Sequence, residues 1–178
     1  MTTLTYRAAT HADIPALITL VTSAYRGDAS RAGWTTEADI LDGARIDAQG
    51  LQADIERPRS TILLAERDGQ LLACAHVADE HGKGYFGMFS VDPAQQRSGI
   101  GKQLMEAAEA HAARAWGVPV MQMTVIDIRD ELIAFYERRG YVRTGIKKPF
   151  PYGDERFGIP KRDDLRFEIL EKPLAGQA

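Results

Sequence analysis

The chain has 178 residues and a formal net charge of −3, from 22 basic and 25 acidic side chains, with 44% hydrophobic and 26% charged residues. This excludes a disordered or collagen-like chain, and it leaves no basic excess for a nucleic-acid coat or a polybasic membrane anchor. One domain over 1–178 is expected, able to bury roughly 70% of the surface its unfolded form exposes without disulfide or metal staples.

The first residues, Met1-Thr2-Thr3-Leu4, lack the basic and apolar regions of a signal peptide, so a cytoplasmic location is expected. Leu4 to Ala8 reads as a strand. Asp13 is the expected cap of a helix that admits Pro15 in its first turn. Ile14, Leu17, Ile18, Val21 and Tyr25 then recur at helical spacing. Residues 26–36, rich in Gly, Ser and Thr, read as a loop. Thr35 or Thr36 would cap a second helical stretch near residues 37–45. Gly50 is expected to kink or break the chain before Leu51 to Glu56, and Pro58 to end that stretch.

Thr61 to Arg67 and Gln70 to Ala78 read as strands joined at Asp68-Gly69, a two-residue hairpin signal. The single cysteine, Cys74, lies in the apolar run Leu71-Leu72-Ala73-Cys74-Ala75. It excludes an internal disulfide or a multi-cysteine zinc site, so no metal is expected, and it reads as a buried inert thiol rather than a nucleophile. A turn around Asp79 to Gly82 leads into a third run, Tyr85 to Val91. Gly101 to Ala115 is Ala-rich and helical, ended by Gly117 and Pro119. Val120 to Val125 reads as a strand, Glu131 to Arg139 as a helix closed by Gly140, and Tyr141 to Ile146 as a strand. Residues 147–163 read as a long loop before a last strand, Leu165 to Leu170. No apolar run approaches the roughly 18 residues of a membrane span. Antiparallel strands followed by a strand–helix–strand unit predict an α/β (α+β) fold. Its central sheet is mixed and mostly antiparallel, with about seven strands and helices on both faces.

One segment carries a chemical signal, Phe89-Ser90-Val91-Asp92-Pro93-Ala94-Gln95-Gln96-Arg97-Ser98-Gly99-Ile100-Gly101-Lys102. Pro93 stops the strand ladder, and Gly99 and Gly101 free the backbone where a helix opens. The helix N-terminus and several aligned N–H groups suit an anion, above all a pyrophosphate. A P-loop is excluded, because Gln96 and Gln103 stand where it needs Gly and Ser or Thr. The dinucleotide fingerprint fails too, with Leu104 in place of its third glycine. An ordinary strand-to-helix turn remains the plain alternative.

Gln96-Arg97-Ser98-Gly99-Ile100-Gly101 resembles the acyl-CoA signature Gln/Arg-x-x-Gly-x-Gly/Ala of the GNAT superfamily of N-acetyltransferases. Farther on, Ala134-Phe135-Tyr136-Glu137-Arg138-Arg139-Gly140-Tyr141 resembles the family's second landmark, a helix that carries a Tyr beside the cofactor sulfur and ends at Gly and an aromatic residue. The resemblance implies a GNAT-like fold and acetyl-CoA (CoA) as cofactor. It implies that the backbone of Arg97, Ser98, Gly99, Ile100, Gly101 and Lys102, next to Gln96, holds the pyrophosphate. By the same resemblance the main chain of Phe89 and Val91 pairs with the pantetheine arm, and the Val91 N–H polarises the thioester carbonyl. Tyr136 would then protonate the leaving thiolate, and Arg138 would meet the 3′-phosphate.

Two positions depart from the family pattern. Arg129 stands where many members carry an Asn. The run Tyr85-Phe86-Gly87-Met88-Phe89-Ser90 holds no acid where many carry a Glu that takes the amine proton. His76, Asp127, Glu37, Asp39 or a water chain are the substitutes. For the acceptor, the resemblance points to the first helices, the splayed strands and the loop before the last strand. The candidates there are Trp34, Glu37, Tyr85 and Phe150. Trp34 beside Glu37, Asp39 and Asp42 suits a cationic amine, although an acidic first helical turn accounts for the same residues. The aromatic loop from Pro149 to Phe157 reads as a roof over the acceptor, a contact in a homodimer, or a plain loop.

The expected function is acetyl transfer from acetyl-CoA to a primary amine of a small molecule, by direct attack and without an acyl-enzyme. The alternatives are a peptide or protein N-acetyltransferase and a non-catalytic acyl-CoA-binding regulator. Neither nucleic acid nor a membrane is an expected partner.

Overall fold

Apolar side chains alternate along three consecutive strands, and this alternation builds the frame. In the computed structural model, which describes residues 3–25, 41–42, 47–95, 99–150, 159–161 and 164–174, these are β3 (Ser60–Arg67), β4 (Gln70–Glu80) and β5 (Lys83–Val91). They form an antiparallel meander. Both turns lie in the left-handed region, Asp68-Gly69 at φ 54° and 75° and His81-Gly82 at φ 55° and 89°. Two consecutive positive φ values match the twist of a two-residue hairpin. The second turn is tighter than the expected Asp79–Gly82, because β4 runs on to Glu80.

β1 (Thr5–Ala8) pairs with β3. On the far side of β5 lie β6 (Val120–Ile126), β9 (Arg166–Pro173) and β7 (Val142–Pro149), giving the order β1-β3-β4-β5-β6-β9-β7. A separate two-stranded ribbon joins β2 (Leu41–Asp42) to β8 (Ile159–Pro160). The seven-stranded sheet carries helices on both faces, as the sequence predicted. Ile62, Leu64, Cys74 and Met88 pack under α1 (Ile14–Tyr25) and α2 (Ala48–Glu56). Leu63, Ala65, Ala73, Ala75, Phe86 and Phe89 pack on the other face, under α3 (Ile100–Trp116) and α4 (Asp130–Arg138). Period-2 alternation assigns neighbouring residues to opposite layers.

Several local expectations are corrected. The α1 region is capped by Thr10, whose N–H donates to Asp13 Oδ2 at 2.7 Å, so Asp13 closes a capping box from inside. Gly50 neither kinks nor breaks the chain but lies inside α2. The Asp47 cap accepts from the Gly50 N–H at 2.7 Å, and a Cβ there would stand 3.2 Å from Asp47 Oδ1. Residues 41–42 are strand rather than helix, and their partner, residues 159–160, lies in the stretch expected to be loop. The rest of the 26–36 and 37–45 expectations falls outside the described residues. β7 also runs to Pro149, with a register shift between Arg143 and Lys147. Buried Glu168 of β9 secures that shift. It accepts from Arg143 Nε at 3.0 Å and Lys147 Nζ at 2.8 Å, and from the Gly145 N–H at 3.3 Å. No described helix is long and apolar enough to cross a membrane.

Candidate active site

The centre of the sheet opens because the parallel pair of β5 and β6 ends early. β5 and β6 are in register only at Gly84–Met121 and Tyr85–Gln122, yet β5 continues to Val91 and β6 to Ile126. Beyond residue 85 the two strands diverge. β5 also bends at Met88, which has φ 51°, where its register against β4 shifts between Cys74 and His76. The Met88 carbonyl accepts from Ser90 Oγ at 3.1 Å and Cys74 Sγ at 3.9 Å, so the bulge carries its own hydrogen bonds. After the bulge, the Asp92 N–H donates to Leu72 O at 2.9 Å. Alternation then turns the Val91 N–H and carbonyl away from β4, toward the gap.

The chain leaves β5 through Pro93–Gln95 and re-enters a helix at Gly99. Gly99 is the N-cap of α3 at φ 87°, and among the described residues a Cβ there would meet nothing nearer than Gln103 Nε2 at 3.9 Å. Its place is therefore dictated by backbone conformation. Ile100 is buried and Lys102 exposed. Gly101 is a glycine for a different reason, because a Cβ there would stand 2.9 Å from Phe89 Cζ. Gln96, Arg97 and Ser98 lie outside the described residues.

On the α3/α4 side, Tyr136 packs against Phe89 of β5. It is 5% exposed, and its ring centroid lies 6.2 Å from Phe89, 5.7 Å from Phe135 and 6.2 Å from Tyr141. The end of α4 fixes its position. The Tyr141 N–H donates to Tyr136 O at 3.1 Å and the Gly140 N–H to Glu137 O at 3.0 Å, with Gly140 at φ 101°. That is a Schellman closure, and it explains why Gly and an aromatic residue follow the helix. Tyr141 is a second phenol nearby, but its hydroxyl donates to Glu109 Oε2 at 2.9 Å. Burial, followed by the Glu109 charge, pushes its pKa far up. Lys172 Nζ holds the other oxygen of Glu109 at 2.8 Å. Sequence reasoning did not single out this Tyr141–Glu109–Lys172 group, whose members lie far apart in the chain. Arg138 is exposed in the last turn of α4, and Arg139 stacks over Phe135 at 5.0 Å.

The α1/α2 face of β4 and β5 holds a different set. The Tyr85 ring lies flat along its own strand over Gly87, where a Cβ would overlap the hydroxyl and stand 2.5 Å from Cζ. His76 meets the Tyr85 ring edge-on at 5.5 Å. Its Nε2 is 2.8 Å from Ser60 Oγ, and Ser60 Oγ donates to Asp54 O at 2.8 Å. Its Nδ1 is 3.8 Å from Asp54 Oδ2. His76 is 7% exposed, and burial is the first cause of its lowered pKa.

The other candidates lie apart from this centre. Asp127 bridges Lys147 at 3.2 Å and Arg166 at 3.0 Å. It lines an open cavity of about 620 Å³ with Arg143, Asp164 and Leu165. Phe150 is buried beyond the end of β6, 5.5 Å from Phe167 and packed with Ile126 and Leu165. Trp34, Glu37 and Asp39 lie outside the described residues. No group of three or more metal-ligating side chains occurs among the described residues.

The chain is similar to several known proteins. An S-(2-succino)cysteine N-acetyltransferase of Bacillus subtilis (strain 168) is 35% identical over 88 residues, 45% of this chain and 53% of that protein. The chain thus spans about half the length of this curated relative. The ribosomal-protein-S18-alanine N-acetyltransferase of Escherichia coli superposes with a TM-score of 0.70 at 17% identity, over 97% of this chain and 94% of that one. The yncA protein of Salmonella typhimurium, solved with its cofactor acetyl-CoA, gives 0.69 at 21% identity, over 97% and 95%. At such identities the two structures speak for the fold alone. The acetyltransferase (GNAT) family model matches residues 17–141, from within α1 through the splayed strands to the Tyr136 helix and Tyr141, and the chain belongs to that family.

Proposed function

We propose that the protein transfers the acetyl group of acetyl-CoA to a primary amine of a small molecule by direct attack, without an acyl-enzyme. The observation that carries this reading is the early parting of β5 and β6, with the α3 N-terminus following β5 and Tyr136 packed against Phe89 of β5. The gap fits acetyl-CoA on three counts. The inner edge of β5 near Val91 faces it, as a chain of amides requires. Gly99 stands at a helix N-terminus, where the partial positive charge favours a pyrophosphate. The aromatic wall of Phe89, Phe135 and Tyr136 is apolar except for the Tyr136 hydroxyl.

When bound, acetyl-CoA supplies an activated thioester. The protein then has to position the amine and move protons. In this reading the Val91 N–H donates to the thioester oxygen as negative charge develops. In this reading Tyr136 donates the proton that the departing sulfur needs. Exposed Lys102 and Arg138 add positive charge at the outer ends of α3 and α4. Cys74 takes no part in this chemistry. It is fully buried, and its Sγ donates to the Met88 carbonyl. The Bacillus relative's name refers to a modified amino acid, which supports a small acceptor over a peptide.

The test is acetyl-CoA turnover against a panel of amines, amino acids and peptides, with Tyr136→Phe as control. Transfer to small amines that drops in Tyr136→Phe supports the reading. Transfer to peptides alone favours a peptide N-acetyltransferase. Tight acetyl-CoA binding with no transfer favours a regulator.

A further inference from the structure

The described arginines differ in what holds them. Arg7, Arg57, Arg59, Arg143 and Arg166 are each paired with a carboxylate. Arg139 has no carboxylate partner among the described residues, and its guanidinium rests over the Phe135 ring at 5.0 Å. We propose that Arg139, rather than Arg138, is the side chain that holds the 3′-phosphate of acetyl-CoA, and that Phe135 is the platform that orients it. This inference rests on the cofactor placement above, with the pyrophosphate at the start of α3.

The end of α4 sets the geometry. The Arg139 N–H donates to Tyr136 O at 2.9 Å, and the next two N–H groups close the helix on Glu137 O and Tyr136 O. The backbone at Arg139 is thereby fixed. Its side chain comes four residues after Phe135, the spacing at which two side chains on one helix meet. A cation over a ring is held by the ring's negative face, so its N–H donors are not consumed by a carboxylate. Arg138 is exposed and has neither a ring nor a carboxylate partner among the described residues. The two arginines are alike in sequence, and the ring contact separates them.

A row of contacts ties Arg139 to the start of α3. A Cβ at Gly101, in the first turn of that helix, would stand 2.9 Å from Phe89 Cζ. Phe89 and Phe135 stack at 6.1 Å with 18° between their planes, and Arg139 comes next. The row begins beside the helix N-terminus assigned to the pyrophosphate and ends in a cation without an acidic partner. In coenzyme A the pyrophosphate and the 3′-phosphate hang from the same ribose, so the second anion lies one sugar from the first.

The two anions call for different donors. A pyrophosphate laid on a helix start is met by backbone N–H groups. A phosphate monoester carries about two negative charges near pH 7 and presents three oxygens. A planar guanidinium meets two of those oxygens at once, which the point charge of a lysine does not. Because Phe135 already restrains the side chain, less freedom is lost when the phosphate arrives.

The experiment compares coenzyme A with 3′-dephospho-coenzyme A by calorimetric titration of the intact protein. Wild type is expected to bind coenzyme A more tightly. Arg139→Ala should weaken coenzyme A by about 10-fold or more and leave the dephospho form unchanged, and Arg139→Gln should do the same with a side chain that is still polar. Arg139→Lys should keep part of the preference, and Arg138→Ala nearly all of it. Phe135→Leu should lose part of it, since the platform is gone while the charge remains. Equal losses on both ligands in Arg139→Ala and Arg139→Gln would assign the residue to the part the two ligands share, and would overturn the proposal. So would a preference that survives in both variants, or one that disappears in Arg138→Ala. Each of these leaves the cofactor placement standing. Wild-type protein that binds neither ligand overturns both.

Discussion

Gly101 and Phe89 touch so closely that a Cβ at 101 would stand 2.9 Å from Phe89 Cζ. Phe89 is also stacked on Phe135, at 6.1 Å and 18° between planes, and tilted against Tyr136. The first turn of α3 is thereby in mechanical contact with the wall around Tyr136. Gly101→Ala is expected to push the Phe89 ring toward that wall, at a cost of about 1–3 kcal/mol. Thermal denaturation should show the lower midpoint, and a CoA titration the weaker binding.

Gly99 makes a contrasting case. Its φ of 87° strains any side chain, while the nearest atom among the described residues lies 3.9 Å from a Cβ built there. Gly99→Ala should cost about 1 kcal/mol of stability and keep most CoA affinity. Gly99→Glu should lose CoA binding, since it brings a carboxylate to the site of a pyrophosphate. Calorimetric titration separates the two, and unchanged affinity in Gly99→Glu would sink the pyrophosphate assignment.

Tyr136→Phe keeps the ring contacts with Phe89, Phe135 and Tyr141 and removes the hydroxyl. It should lower kcat about 100-fold at constant acetyl-CoA affinity. Tyr141→Phe should act on stability instead, because its hydroxyl is bound to Glu109.

Acid should expose the Glu168 network. Arg143, then Lys147, hold the Glu168 pKa at about 2, against 4.5 for the free group. A depressed carboxylate pKa contributes stability above pH 4.5, and that contribution is lost as pH falls toward 2. Glu168→Gln should melt lower than wild type at pH 7, and the difference should shrink across this window. Asp13, held at about 2 by Arg7, adds a loss that the variant retains.

Cys74→Ala should retain turnover, because direct attack needs no thiol and Cys74 is buried. Ser90→Ala should be the more damaging change. Ser90 is fully buried and donates to the Met88 carbonyl at 3.1 Å, so the bulge would lose its better donor, at about 1–2 kcal/mol. Melting curves of the two variants give the comparison.

The sequence made the repeating parts of this structure legible. Asp68-Gly69, the Gly117 stop and the Gly140-Tyr141 closure each carry their conformation in local chemistry, and their elements lie where expected. What it hid was non-local. Residues 41–42 pair with 159–160, and no local pattern announces a partner so distant. Gly50 suggested a break until Asp47 was seen to need its N–H. The setting of His76 was hidden by a single residue. Counting from the Asp68-Gly69 turn would pair His76 with Thr61, but a bulge at Ala65/Glu66 moves it opposite Ile62. The gap itself was visible only through family resemblance. Hydrophobic pattern reports which face of a strand is buried, and it does not say where two neighbours part.

That parting divides the sheet into halves. β1, β3, β4 and β5 form one antiparallel block, β6, β9 and β7 another, and two paired positions join them. A ligand laid along β5 in the gap would act as a length of strand supplied from outside. Its occupancy then enters the folding equilibrium, adding about 2.7 kcal/mol at a hundred times its Kd. Amide hydrogens of β6, β9 and β7 should gain protection when acetyl-CoA binds, though most of them lie far from it. The same opening that admits the reactant makes the protein's cohesion a function of its supply.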